Sequence, residues 1–183
     1  MFVIDWIWGV LNYLGLLQKK ATIVMLGLDN AGKSTLLHKI KYAHLTSLPP
    51  TERALLEELV VGNVKFSAWD LGGHEIIRAA WREYYVQADV IVFVIDSSDT
   101  NRIEEAKEEL HEIIHDENLT NRIILILGNK IDLVNSLSRE QLIEMLDIQS
   151  FLNESPKAQI FSTSVITGTG IQQAFQWAAS LIQ

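Results

Sequence analysis

Beyond Lys20 the chain alternates between unbroken apolar runs and stretches whose apolar positions recur every three or four residues. The runs ATIVMLG, DVIVFVID and RIILILGNK have no polar side and predict strands buried on both faces. AQIFSTS predicts a shorter strand. EELVV and VKFSAW flank the dipeptide Gly62–Asn63 and predict a hairpin, hence one antiparallel edge. GKSTLLHKIKY, RIEEAKEELHEIIHD, SREQLIEML (opened by Ser138) and GIQQAFQWAASLIQ have helical spacing. Apolar strands alternating with helices predict an α/β domain: a mostly parallel six-stranded sheet with one antiparallel edge strand and helices on both faces. In such sheets ligands bind beyond the carboxyl ends of the strands.

The start of the chain follows a different rule. Residues 1–17, MFVIDWIWGVLNYLGLL, are apolar except for a narrow stripe formed by Asp5, Gly9 and Asn12. The run is shorter than the ~20 apolar residues of a bilayer span, and Asp5 interrupts it. It has neither the basic start nor the cleavage site of a signal peptide. Phe2, Ile4, Trp6, Ile7, Trp8 and Leu11 face away from the stripe, and Lys19 and Lys20 follow. Two readings fit this pattern: a helix lying in a membrane interface, with lysines toward anionic lipid, or a terminal helix packed on the protein's own sheet. Either way the chain divides into an N-terminal amphipathic helix over 1–18 and a domain over 19–183.

Composition narrows the chemistry. The 183 residues suffice for one full core, and the net charge of −8 argues against a general nucleic-acid binder. The chain contains no cysteine, which excludes disulfides and thiolate metal sites. Phe2 stands where myristoylation needs glycine, and prenylation has no cysteine to use.

Three short motifs carry the chemistry. GLDNAGKS, Gly27 to Ser34, fits the phosphate-binding pattern G-x-x-x-x-G-K-[ST] and sits between a strand and a helix. Asp29, Asn30, Ala31, Gly32, Lys33, Ser34 and Thr35 form the expected cradle. Their amides lie at the positive end of the helix, Lys33 bridges β- and γ-phosphates, and the Ser34 hydroxyl binds Mg²⁺. DLGGHE, Asp70 to Glu75, ends the strand VKFSAW. Asp70 can hold the metal, with Asp29 as a possible outer-shell partner. The Gly73 N–H can donate to a γ-phosphate, and His74 can orient the attacking water. Taken alone, a histidine after two glycines would be read as capping a turn.

GNKID, Gly128 to Asp132, ends another strand. The Asp132 carboxylate can accept from guanine N1–H and the 2-amino group. Adenine offers neither donor and would leave the carboxylate unpaired. Asn129 can bridge to the P-loop, the Lys130 stem can cover the base, and Ser164 or Val165 can donate a backbone N–H to guanine O6. A lone N-K-x-D is weak evidence, but three motifs in this order at three strand ends are strong. An ATPase would leave the third unexplained.

These residues resemble the small GTPases, P-loop NTPases with a Ras-like G domain, and specifically the Sar type of the Arf/Sar branch. GLDNAGKS, DLGGHE, LGNKID and the start MF-I-DW--GVL--LGL carry the resemblance, which runs from Met1 past Trp177. KFSAWDLGGHE is the most telling segment, since the Ras branch has glutamine where His74 stands. The resemblance implies a protein that cycles between a soluble GDP form and a membrane-bound GTP form. It implies hydrolysis to GDP and phosphate, slow without a GTPase-activating protein, with His74, Lys33 and Gly73 at the reacting phosphate and Mg²⁺ as cofactor. It also favours the membrane reading of residues 1–18, placing the protein on the cytosolic face of the endoplasmic reticulum and on Golgi-directed vesicles. The implied partners are guanine nucleotide, membrane lipid, a membrane exchange factor, and the COPII inner-coat subunits that supply an arginine finger and bind cargo. A monomer in solution and no nucleic-acid partner are also expected.

One stretch departs from the family. Its members have P-T-x-H-P-T-S-E-E-L before the hairpin, and the second threonine binds Mg²⁺. Aligned on EEL, this chain has Ala54, Leu55 and Leu56 where proline, threonine and serine belong. Leucine offers a hard cation no oxygen. Thr51, four residues early, or a water is the substitute. Three readings stay open: a working switch with a substitute ligand, a nucleotide-binding membrane module with little hydrolysis, or a regulator at another organelle. The segment after Leu146 is also shorter than in typical members.

Overall fold

The structure, a computed structural model, describes residues 19–42, 54–61 and 64–182. The amphipathic stretch with Phe2, Ile4, Trp6, Ile7, Trp8 and Leu11, the substitute ligand Thr51 and the Gly62–Asn63 turn lie outside the described residues.

The strands are β1 (Lys19–Leu26), β2 (Leu55–Val61), β3 (Val64–Asp70), β4 (Val90–Asp96), β5 (Ile123–Asn129) and β6 (Ala158–Ser162). They form one sheet in the order β2-β3-β1-β4-β5-β6. Only β2 and β3 are antiparallel, with Val61 opposite Val64 and Leu55 opposite Asp70. The expected hairpin is thus present, but β2 begins earlier than EELVV suggested. The β3 ladder extends far enough to pair Leu55 and Leu56 as well, although both side chains are exposed.

The helices are α1 (Lys33–Tyr42), α2 (Glu75–Arg78), α3 (Trp81–Tyr85), α4 (Ile103–Ile114), α5 (Arg139–Leu146), α6 (Gln149–Glu154) and α7 (Ile171–Ser180). Strand alternation splits the core in two. Val24, Leu26, Ile91, Phe93, Ile95, Ile124 and Ile126 face α3, α4 and α5. Ile23, Met25, Val90, Val92, Val94, Leu125 and Leu127 face α1 and α7. α4 buries Ile103, Ala106, Leu110 and Ile113, a stripe at helical spacing, while Glu104, Glu108 and Glu112 face outward. Leu110 is fully buried, so Leu110→Ala should cost roughly 2–5 kcal/mol of stability.

Local signals set the ends of α5. The Ser138 side chain accepts from the Gln141 backbone N–H, and the Gln141 side chain answers the Ser138 N–H, a full capping box. At the other end Asp147 turns left-handed at φ 52°. Its N–H donates to Glu144 O, and the Ile148 N–H donates to Ile143 O. This is a Schellman stop, with buried Ile148 as its apolar anchor. The next helix, α6, begins at Gln149, within the segment that the sequence reading expected to be shorter than in the family.

Polar burial locates the functional end. Lys33, Asp70, Ser97, Asn129, Thr163 and Ser164 are the buried polar residues among those described. All lie at, or just beyond, the carboxyl ends of strands. β1 has β3 on one side and β4 on the other, so the chain changes direction of winding at this point.

Candidate functional site

The loop between β1 and α1 is shaped by its own residues. Asn30 is left-handed at φ 61° and Gly32 takes φ 99°. Gly32 also needs its bare Cα, because a Cβ there would stand 2.6 Å from Asn129 Nδ2. Ala31 is buried beneath the loop, and its carbonyl accepts from Asn129 Nδ2 at 2.9 Å. Lys33 opens α1 with its ammonium folded inward, donating to Gly27 O at 2.8 Å and Leu28 O at 2.9 Å. Burial drives its pKa down to about 8, against the attraction of Asp70 and Asp29. Ser34 and Thr35 follow in the first turn of α1.

Asp70 ends β3 and is buried, opposite Met25 on one side and Leu55 on the other. No group of three or more histidine, aspartate or glutamate side chains among the described residues could cage a metal. The Ser34 hydroxyl and the carboxylate of buried Asp70 are oxygen donors of the kind Mg²⁺ takes, one or two from protein beside water and phosphate. Ser34 and Asp70 could supply those oxygens. Asp29 is committed elsewhere: Arg102 Nη2 donates to its carboxylate at 2.6 Å. Partial burial is the largest influence on Asp29 and opposes ionisation, yet the hydrogen bond and charge of Arg102 outweigh it and its pKa stays below the usual value.

The Gly72–Gly73–His74 segment lies directly on the P-loop. A Cβ at Gly73 would overlap the backbone of Gly27, Leu28 and Asp29, so only glycine permits this approach. The Gly72 carbonyl accepts from Trp81 Nε1 at 3.0 Å, and the Gly73 carbonyl accepts from Arg78 Nε at 2.7 Å. His74 takes an extended backbone at the N-cap of α2, and its ring makes no capping hydrogen bond. Capping is therefore not what this side chain does.

On the base side Asn129 ends β5, and Lys130 and Asp132 follow it. Asn129 ties two loops together, donating to Ala31 O and accepting from the Val165 N–H at 3.1 Å. Lys130 is left-handed at φ 67°, and its ammonium pairs with Asp96 at 2.7 Å. Ser164 Oγ donates to Asp132 Oδ1 at 2.5 Å, fixing one carboxylate oxygen. The Ser164 N–H donates to Thr169 O. The two backbone donors expected for guanine O6 thus both have partners inside the protein, and Val165 would have to share its N–H between Asn129 and the base. Lys39, reaching from α1, donates to the carbonyls of Val165 and Ile166 and holds this loop from behind.

The fold therefore gathers residues 29–35, 70–74, 129–132 and 164–165 at one end of the sheet. Sequence reading missed Arg78, Trp81, Asp96, Arg102, Glu105 and Glu109, which support that set. The only linear hint was Arg78 and Trp81 three apart, just after the glycine pair.

Comparison with known proteins agrees with this arrangement. Residues 7–182 match the ADP-ribosylation factor family. The chain is 39% identical to the small COPII coat GTPase SAR1 of Giardia intestinalis, covering 97% of this chain and 98% of that one. It is 43% identical to the small COPII coat GTPase SAR1B of Dictyostelium discoideum, covering 97% and 94%. The Arl6 BBS3 small GTPase of Trypanosoma brucei, solved with the nucleotide analogue GppNp, superposes with a TM-score of 0.80 at 30% identity over 88% of this chain and 96% of that one. The chain belongs to the ADP-ribosylation factor family, as a small GTPase of the Sar type.

Proposed function

We propose that the chain binds GTP and GDP with Mg²⁺, hydrolyses GTP, and recruits the COPII coat from the endoplasmic reticulum membrane. The Ser164–Asp132 bond carries the nucleotide reading: it steadies an exposed carboxylate suited to guanine at the same end of the sheet as Lys33, Asp70 and Gly73. In this reading Lys33 and the amides of residues 29–35 hold the phosphates. Ser34 and Asp70 hold Mg²⁺, which neutralises charge between the β- and γ-phosphates. Gly73 N–H meets the γ-phosphate, and His74 orients water. The names of the Giardia and Dictyostelium relatives support the coat role. The apolar face of residues 1–18, with tryptophans beside Lys19 and Lys20, supports insertion into one leaflet when GTP binds. No helix among the described residues is long and apolar enough to cross a membrane.

Leu55 modifies the switch. It sits in β2 beside Asp70 and supplies no oxygen, so the metal loses the side-chain ligand that relatives draw from this position. Nucleotide exchange and single-turnover hydrolysis, with and without Mg²⁺ and a coat GTPase-activating subunit, test the whole reading. GTP-specific hydrolysis stimulated by the coat subunit is the expected result, and an absence of guanine-nucleotide binding would refute it. Removing residues 1–17 should abolish GTP-dependent flotation with liposomes; persistent flotation would refute the membrane step.

A further inference from the structure

Two peptide planes control what the Gly72–Gly73–His74 segment presents. In a planar trans peptide the N–H points opposite to the C=O, so fixing one fixes the other. The Gly72 carbonyl shares its plane with the Gly73 N–H, and buried Trp81 holds it through Nε1 at 3.0 Å. The Gly73 carbonyl shares its plane with the His74 N–H, and Arg78 holds it through Nε at 2.7 Å.

Neither donor is free to wander. Trp81 packs edge-on to Phe93 of β4, with ring centroids 6.3 Å apart. The Arg78 side chain is only 8% exposed, and its two terminal nitrogens are taken by Glu109 at 2.8 Å and Glu105 at 2.6 Å. Glu105 also accepts from Arg102 Nε at 2.9 Å, and Arg102 grips Asp29 of the P-loop. A chain of charge-assisted bonds thus runs from Asp29 through Arg102, Glu105 and Arg78 to the Gly73 carbonyl. Both ends of that chain meet again where Gly73 lies on Asp29. Guanidinium suits this task because its rigid fork bonds in three directions at once.

We propose that Trp81 and Arg78 are positioning residues for the γ-phosphate of GTP, each fixing one peptide plane of the Gly72–Gly73–His74 segment. The proposal rests on the reading of this cleft as a GTP site. Trp81 aims the Gly73 N–H at the phosphate. Arg78 sets the orientation from which His74 reaches water, with the α4 carboxylates as its anchor. GDP has no γ-phosphate, so the pair contributes to GTP recognition and turnover but not to GDP binding.

The test uses the full chain with Mg²⁺ and compares affinity for GDP, affinity for a non-hydrolysable GTP analogue, and the single-turnover hydrolysis rate. Arg78→Ala should slow hydrolysis by roughly 10- to 100-fold and shift the analogue-to-GDP affinity ratio about tenfold toward GDP, with GDP affinity held within about twofold. Trp81→Phe removes the donor while leaving a smaller aromatic ring beside Phe93; it should shift the affinity ratio in the same direction. Arg78→Lys should fail to rescue, since an ammonium cannot serve Gly73, Glu105 and Glu109 with a planar fork. Unchanged ratio and rate in both Arg78→Ala and Trp81→Phe would overturn the proposal while leaving the nucleotide reading intact. Equal losses of GDP and analogue affinity in both variants would overturn it in favour of general structural support. Failure of the unmodified chain to bind either nucleotide would overturn both.

Discussion

The two ends of the cleft are built differently. At the base end each element is anchored to another loop or to a long helix: Asn129 to Ala31 and Val165, Asp132 to Ser164, Lys130 to Asp96, and the Val165–Ile166 carbonyls to Lys39 of α1. At the phosphate end the Gly72–His74 segment depends on side chains from α2 and α3, helices of four and five residues. Helices that short have little stability of their own and hold their shape through tertiary contacts. Ile76 of α2 is 93% exposed, so few apolar contacts hold that turn in place. In the proposed reading, the difference separates the grip on the base from the sensing of the last phosphate. The base end is tied through loops and α1, whereas the Gly72–His74 segment hangs on two buried side chains supplied by short helices.

The comparison can be broken most severely at the base end. Asp132→Asn should lower GTP affinity by about 10³-fold or more and remove guanine preference, because an amide places a donor where guanine also presents donors. Competition with xanthine nucleotide, which carries an oxygen in place of the 2-amino group, should improve in parallel. At the suspended end, His74→Ala should slow single-turnover hydrolysis by about 100-fold and leave GTP and GDP affinity within about twofold, a split that equilibrium titration beside quench-flow would reveal.

A pH series tests the junction between the ends. With the Lys33 pKa near 8 in the empty protein, nucleotide affinity should fall as pH rises through 8, approaching tenfold per unit when bound phosphate keeps the lysine charged. Stability should move the opposite way. Between about 8 and 10.5 the unfolded chain holds a proton on this lysine that the folded chain has released, so stability of the empty protein rises with pH. The smallest effect belongs to Leu55→Thr. It should raise Mg²⁺-dependent GTP affinity by a few-fold, on the order of one added hydrogen-bond-strength ligand, and leave Mg²⁺-free binding unchanged.

Much of this architecture was legible from the chain. Strand runs, helix spacing and the hairpin dipeptide led to the mostly parallel six-stranded sheet with one antiparallel edge, because each is set by residues close in sequence; the order of the strands was not read from them. The P-loop and the segment at Asn129 were legible as motifs for the same reason: each is a contiguous stretch, and the fold brings both to one end of the sheet. What escaped were supports assembled across the fold. Arg78 meets Glu105 and Glu109 only because α2 packs beside α4, and nothing in the spacing of those residues announces the pairing. The prior engagement of the Val165 N–H by Asn129 was equally invisible, since it joins loops after two different strands. The start of β2 was placed too late because exposed Leu55 and Leu56 have no alternating pattern; pairing with β3, not burial, extends the strand over them.

The left-handed stop at Asp147 has a practical side. A non-glycine residue at φ 52° carries backbone strain that glycine avoids. Asp147→Gly should therefore raise stability by about 0.5 kcal/mol net of the extra freedom glycine gains when unfolded, a melting-point increase of roughly 1–2 °C. Asp147 lies between α5 and α6, outside residues 29–35, 70–74, 129–132 and 164–165. It offers a thermostabilising handle for a Sar-type GTPase at a position that needs no change in the residues proposed to bind or hydrolyse the nucleotide.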